Sequence, residues 1–393
     1  MRLRRKTDRC GTARAAMAAG VAALLALAAA PGVCGGSAEA GTAADATRPA
    51  AASRPAAAAL AADASRPAAA ESSNAEAIAG TWVLQQASSR AELDGVLPKT
   101  LGPALKTPHV RGFCLRVPWK AADEDFALLE AGLAIARGHG VSYSVRFMAG
   151  RHTPARVFDK GCRFYLAGRG GQEKVPVPFL ADGSPNAVFE EAYDAHVGRL
   201  AAWCRANGVR LLHLAWYGQD WAELNHGKEV RAQAGYSYEN WLRAHLRLID
   251  IGLKYGGKDL AVELPFSGHG PLTEAGPAFA DHVIGRAGPC STLFFCQANG
   301  WGPGGDWGAP TAETEAAFDR IWRKPICRGQ QAIQPQDYQW ADLYRKLYEN
   351  RATYCEVYAP SFTLQHKADL AEEIRKFAEH VRAGGPPMPE RPR

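Results

Sequence analysis

The sequence predicts an α/β fold of the (β/α)8 type, a TIM barrel, on two observations. From Ile78 onward, short apolar runs of strand character alternate with amphipathic helical stretches. Eight such runs fit into about 300 residues, the count and length of an eight-fold parallel barrel. A doubly wound open sheet is the competing architecture. It is disfavoured because no GxGxxG turn joins a first strand to a helix.

The chain ahead of that alternation is of a different kind. Residues 1–35 open with Arg2, Arg4, Arg5, Lys6, Arg9 and Arg14 against a single acid, Asp8, and continue into an Ala/Leu/Val run over 15–30. A basic start followed by an apolar run too short for a comfortable span reads as a secretory signal peptide. Small residues at 28–30 and at Ala38-Glu39-Ala40 offer cleavage sites, and Arg4-Arg5 hints at twin-arginine export. The expectation is a secreted or periplasmic protein with no membrane span once mature; an uncleaved N-terminal anchor is the alternative. Residues 36–77 are Ala/Pro/Ser-rich, with TRPAAA at 47 and SRPAAA at 53 and 65. Such composition buries no core and predicts a disordered, somewhat stiff linker. The barrel is expected over 78–385, with a flexible tail at 386–393.

The strand candidates are 81–86, 110–119, 141–149, 209–217, 260–266, 292–299, 330–334 and 353–358. Helical spacing appears between them at Phe126, Leu129, Leu133 and Ala136, and at Val197, Leu200, Ala201 and Cys204. It recurs at Leu242, Leu246, Ile249 and Leu253, and at Leu370, Ile374, Phe377, Ala378 and Val381. Asp123, Ser237 and Asp337 mark helix starts; Gly138, Gly208 and Gly384 mark ends.

Composition narrows the partners. The net charge is +6, and most of it lies in the leader, so no basic stripe remains to bind nucleic acid. Seven of the nine cysteines follow the leader, and no CxxC occurs. An odd count without metal-type spacing predicts neither a disulfide scaffold nor a zinc site, although a Cys290–Cys327 bridge stays open. No HExxH is present and the histidines are scattered, so no metal and no cofactor are expected. GxSxG and Walker loops are also absent, and GWGPGGDWG lacks the Lys-Ser/Thr of a phosphate cradle.

Barrel strands alternate between helix-facing and interior side chains. In 110–119 the apolar set Phe113, Leu115 and Val117 should face helices, turning Gly112, Cys114, Arg116 and Pro118 inward. By the same parity Glu263 lies inside with Ala261 and Pro265, Tyr354 groups with Glu356 and Tyr358, and Gln297 groups with Asn299. Such polar groups can serve a site or simply pair, as in Arg116–Glu263 or Arg146–Glu356. Long insertions follow the third, fourth and sixth strands: 151–179, 217–227 and 300–310. The fourth, in WYGQDWAELNHG, carries Glu223 among Trp216, Tyr217, Trp221, Asn225 and His226. With Trp119, Trp301 and Trp307, these aromatics predict a barrel mouth suited to stacking on sugar rings, while Asn, Gln, His and Arg bind hydroxyls. The expected partner is therefore a carbohydrate.

The order of these motifs resembles the clan A glycoside hydrolases. VRGFCLRVPWKAADEDFALLEAGLAIARGHGVSYSVRFMAG is similar to their second and third βα units, with a Gly–x–x–x–Arg strand ending in Trp; RHTPARVF and VPVPF are similar to the loop before their fourth strand. The resemblance covers about residues 78 to 383. It implies a general acid/base glutamate after the fourth strand, matched by position to Glu223, and a nucleophilic glutamate on the seventh. The seventh-strand segment GQQAIQPQD departs from that pattern with Gln330, Gln331, Gln334 and Gln336 and no glutamate. An amide cannot form a glycosyl-enzyme ester, so Glu356 or Glu263 is the expected second carboxylate. The substrate-binding set is then Arg116, Trp119, Arg151, His152, Trp216, Tyr217, Asn225, His226, Gln297, Asn299, Trp301, Trp307 and Gln331. The alternative is a catalytically inactive carbohydrate-binding barrel, its nucleophile replaced by glutamine.

Overall fold

A computed structural model of the protein describes residues 77–384, except 169–170, 219–226, 268–271, 289–293, 302–315, 317–318, 326 and 333–339. Eight parallel strands close into a ring. They are β1 (Gly80–Gln86), β2 (Val110–Pro118), β3 (Ser142–Met148), β6 (Leu211–His213), β7 (Ala261–Ser267), β8 (Phe294–Trp301), β9 (Cys327–Ala332) and β10 (Tyr354–Tyr358). Hydrogen bonding runs in that order and returns from β10 to β1. This is a (β/α)8 barrel. Between β3 and β6, strands β4 (Phe164–Ala167) and β5 (Glu173–Pro176) form a separate antiparallel hairpin. None of the described helices is long and apolar enough to cross a membrane.

Helices α1 (Arg90–Val96), α2 (Ala127–Gly138), α3 (Ala187–Ala206), α4 (Tyr238–Tyr255), α5 (Leu272–Ala287), α6 (Trp340–Glu349) and α7 (Lys367–Arg382) alternate with the barrel strands. Ser237 caps α4 as its position predicts, its hydroxyl accepting from the Asn240 N–H at 3.1 Å. Asp123 does not cap α2; its carboxylate is drawn to Trp119 and Arg156 instead, and the helix begins at Ala127. Asp337 lies outside the described residues. Gly208 and Gly384 end α3 and α7 in the left-handed region, at φ 70° and 79°. On α4 the buried face is Trp241, Ala244, His245, Leu248, Ile249 and Gly252, so Leu242, Leu246 and Leu253 sit only at its edge. Tyr, His and Trp extend the apolar stripe there, and a Leu/Ile pattern alone misplaces its centre.

Strand parity sorts the core into two regions. Phe113, Leu115, Val117, Val145, Phe147, Leu212, Leu214, Val262, Cys355 and Val357 belong to the layer between sheet and helices. Inside the barrel, Ile78, Trp82, Leu211, Ala261 and Tyr354 form a second apolar cluster that plugs the floor. Gly112 belongs to this plug: a Cβ there would strike the Trp82 ring. The Trp82 indole N–H in turn donates to the Ile78 carbonyl at 2.7 Å, tying the entering chain to the floor.

Candidate functional site

Above the floor the interior turns polar. Ser144 and Arg146 on β3, His213 on β6, Glu263 on β7 and Glu356 on β10 all have no solvent exposure. Their convergence follows from register, since Arg146 pairs with His213 and His213 with Glu263 across successive strands. Arg146 organises the group. Its Nη2 donates to Glu356 Oε1 and Oε2 at 3.0 and 3.1 Å and lies 3.4 Å from Glu263 Oε2. Burial alone would lower the guanidinium's pKa, but Glu356 and Glu263 outweigh it and hold it well above the ordinary value. The expected Arg146–Glu356 pair therefore exists. The Arg116–Glu263 pair does not: Arg116 donates to the Tyr358 hydroxyl at 3.1 Å, while Glu263 takes His213 and Arg146.

Glu356 receives two further donors, the Tyr354 hydroxyl at 2.6 Å and the Gln331 amide at 3.2 Å. Burial, and then the charge of Glu356, push the Tyr354 phenol well above its ordinary value, which keeps it a donor. Glu263 Oε2 lies 2.5 Å from His213 Nδ1. The same Nδ1 lies 2.9 Å from Arg146 Nη2, so one ring nitrogen meets both a carboxylate acceptor and a guanidinium donor. Nε2 faces Ser144 Oγ at 3.3 Å, the Tyr354 hydroxyl at 3.4 Å and Glu356 Oε1 at 3.6 Å. Glu263 Oε1 is buried and has no hydrogen-bond partner among the described residues. Cys114, on β2, completes this layer: its Sγ lies within 4.8 Å of ligand atoms of both His213 and Glu356. Its thiol is pushed well up by burial and by Glu356. Cys114 and His213 were not among the sequence-predicted site residues. Parity carries the signal for both, since each lies between helix-facing apolar neighbours.

The aromatic residues require a correction. Trp119, Trp216 and Tyr217, expected at the mouth against a sugar, are wholly buried in the layer between strands and helices. Trp119 stacks on His196 at 4.9 Å and meets Phe147, Phe189 and Tyr193 edge-on or tilted, while its indole N–H donates to Asp123 at 3.1 Å. Trp216 stacks on Phe279 at 5.1 Å, and Tyr217 packs on Phe189 at 4.6 Å. Rings so enclosed have no face left for a ligand. Asp123, taking Arg156 at 2.5 Å and Arg199 at 3.3 Å as well, locks the segments after β2 and β3 together. Burial pushes its carboxyl up, but the hydrogen bond and charge of Arg156 prevail and it titrates below the usual range.

The remaining predicted residues divide in two. Arg151 and His152 form a 3-10 turn directly after β3, and Arg151 is paired with Glu173 of the hairpin at 3.0 Å. Gln331 faces the interior beside Glu356, whereas Gln330 takes the opposite parity and is buried. Gln297, Asn299 and Trp301 belong to β8, where Gln297 is in register with Gly329 and Asn299 with Ser267. Glu223, Asn225, His226 and Trp307 lie outside the described residues, as do Trp221 and Cys290.

No protein-family profile matches the chain, and no curated protein matches it in sequence. Among solved structures it is similar to the catalytic domain of β-amylase from Paenibacillus polymyxa, at 10% identity over 78% of this chain and 99% of that one, TM-score 0.48. It is similar to a β-galactosidase from Rahnella sp. R3 at 12% identity, over 79% of this chain and 57% of that one, TM-score 0.48. An L-ribulose 3-epimerase is similar at 11% identity, over 78% and 93%, TM-score 0.43.

Proposed function

We propose that this protein is an exported (β/α)8 enzyme acting on carbohydrate, a glycoside hydrolase with Glu223 as general acid and an interior carboxylate as its partner. The observation that carries this reading is the pair Glu263 and Glu356, two acids inside one barrel, held around Arg146. Both touch the same nitrogen, so one buried cation holds both candidates for the second carboxylate. Glu263 is the stronger candidate. Its Oε1 has no donor among the described residues, so it can accept a proton or activate water, whereas both oxygens of Glu356 are engaged. Arg116 and Gln331, in register with Arg146 and Glu356, would bind hydroxyls. Arg151, His152, Asn225, His226, Gln297, Asn299, Trp301 and Trp307 complete the proposed binding set, and the leader-like sequence at 1–35 supports export.

One observation favours the inactive alternative. Gln331 stands inward on the seventh barrel strand, bonded to Glu356, where a nucleophile would be expected. Hydrolysis of a panel of aryl glycosides and polysaccharides by the wild type and by Glu223→Gln, Glu263→Gln and Glu356→Gln separates the two. Loss of at least about 100-fold in Glu223→Gln and in one interior variant supports the hydrolase. Glycan binding without turnover in the wild type replaces it with the binding barrel.

A further inference from the structure

Cys114, His213 and Glu356 bring a sulfur, a nitrogen and an oxygen to one point inside the barrel, all three side chains wholly buried and on three different strands. We propose that these residues bind one divalent transition-metal ion, zinc by the chemistry of the ligand set. This inference shares Glu356 and Glu263 with the glycosidase reading, so its test reads metal content rather than glycan turnover.

Four observations support it. Tetrahedral zinc with bonds of about 2.0–2.3 Å spaces its ligand atoms by about 3.3–3.8 Å. His213 Nε2 and Glu356 Oε1 already stand 3.6 Å apart, and none of the three ligand atoms is more than 4.8 Å from another. A closure of about an ångström completes the site. The histidine is also oriented for it. Glu263 Oε2 stands 2.5 Å from Nδ1, so a metal on Nε2 would complete the carboxylate–histidine–metal arrangement of protein zinc sites.

Charge points the same way. The layer holds two carboxylates against one guanidinium. A divalent ion entering with loss of the Cys114 thiol proton to solvent brings that layer to neutrality, which a fully buried group of charges requires. Arg146 need not leave, because Glu356 can keep it through Oε2 at 3.1 Å while Oε1 turns to the metal. The Ser144 and Tyr354 hydroxyls, 3.3 and 3.4 Å from Nε2, offer oxygen for the fourth position. A thiolate and an imidazole select zinc, cobalt or copper over magnesium or calcium.

The test is metal stoichiometry, read without any sugar substrate. The full chain, exposed to zinc and dialysed, should retain about one zinc per molecule. The metal-stripped protein titrated with cobalt should develop an intense near-ultraviolet sulfur-to-cobalt band. Cys114→Ser and His213→Gln should retain less than about a tenth of the wild-type zinc. Cys355→Ser, a buried thiol on the helix side of the barrel, should retain all of it. Retention of less than a tenth of an equivalent by the wild type, or unchanged zinc in Cys114→Ser, would overturn the proposal. If those two variants fail to fold, the wild-type cobalt spectrum decides alone: bound cobalt without the sulfur band sinks it. A protein that holds zinc but hydrolyses no glycan would overturn only the glycosidase reading.

Discussion

Arg146 reaches Glu263 and Glu356 with a single nitrogen, Nη2, at 3.4 and 3.0 Å, and no part of the three side chains meets solvent. A buried pair contributes little net stability, because desolvation offsets attraction, but removing one partner strands charge. Arg146→Met should therefore cost about 3–5 kcal/mol in urea unfolding. Adding Glu356→Gln to that variant should recover part of the loss. A cost within about 0.5 kcal/mol for the single change would refute the network as drawn.

Trp119 fixes structure rather than ligand. Trp119→Phe removes the indole N–H bond to Asp123 and part of the ring packed on His196. The expected loss is about 1–3 kcal/mol of stability, with glycan affinity unchanged within twofold. Weaker glycan binding at full stability would restore the ring to the binding surface.

His196, under Trp119, sets an acid limit. Burial, and then the neighbouring Arg199, lower its pKa from 6.5 to about 3. The unfolded chain thus binds a proton that the folded one refuses between those values, and stability falls as pH drops through this window. From pH 6.5 to 5 the loss from this group is about 2 kcal/mol. In His196→Gln, unfolding measured at pH 7 and pH 5 should show correspondingly less decline; an equal decline in both proteins would remove His196 as the cause.

Gly150 joins the third barrel strand to the fourth. At φ 59°, it leaves space that a Cβ would take from the Gly218 carbonyl oxygen, at the edge of the segment carrying Glu223. Gly150→Ala should cost at least about 2 kcal/mol and should lower any glycosidase activity further than stability explains. Calorimetry beside an aryl-glycoside assay at a temperature where both proteins are folded checks this. Wild-type behaviour in both would show that the strand ends tolerate displacement.

Gln331→Glu introduces an acid where the glycosidase pattern expects one, but against Glu356 rather than toward an open site. Like charges at hydrogen-bond distance should destabilise the variant by about 1–3 kcal/mol at neutral pH, with the deficit shrinking on acidification. A gain in hydrolysis would instead identify Gln331 as the lost nucleophile.

Much of this architecture was legible because a barrel strand has two faces and a period of two. Alternation placed Cys114 and Arg116 opposite Phe113 and Leu115, and Glu356 beside Tyr354, as observed. The same rule, continued past the strand ends, assigns Trp119 the parity of Val117 and Trp216 that of Leu214. Treating those rings as loop residues moved them from the helix layer to the mouth. Which acid pairs with which base was not legible, because a closed barrel brings together residues as distant in sequence as Arg146 and Glu356 by register and shear. Asp123 misled for a different reason. A carboxylate near a helix start has the look of a cap, but two arginines and an indole competed for it successfully.

The floor plug of Ile78, Trp82, Leu211, Ala261 and Tyr354 gives the interior a direction. A barrel stoppered at its N-terminal end is a cup, and traffic to Arg146 is confined to the rim where the strands end.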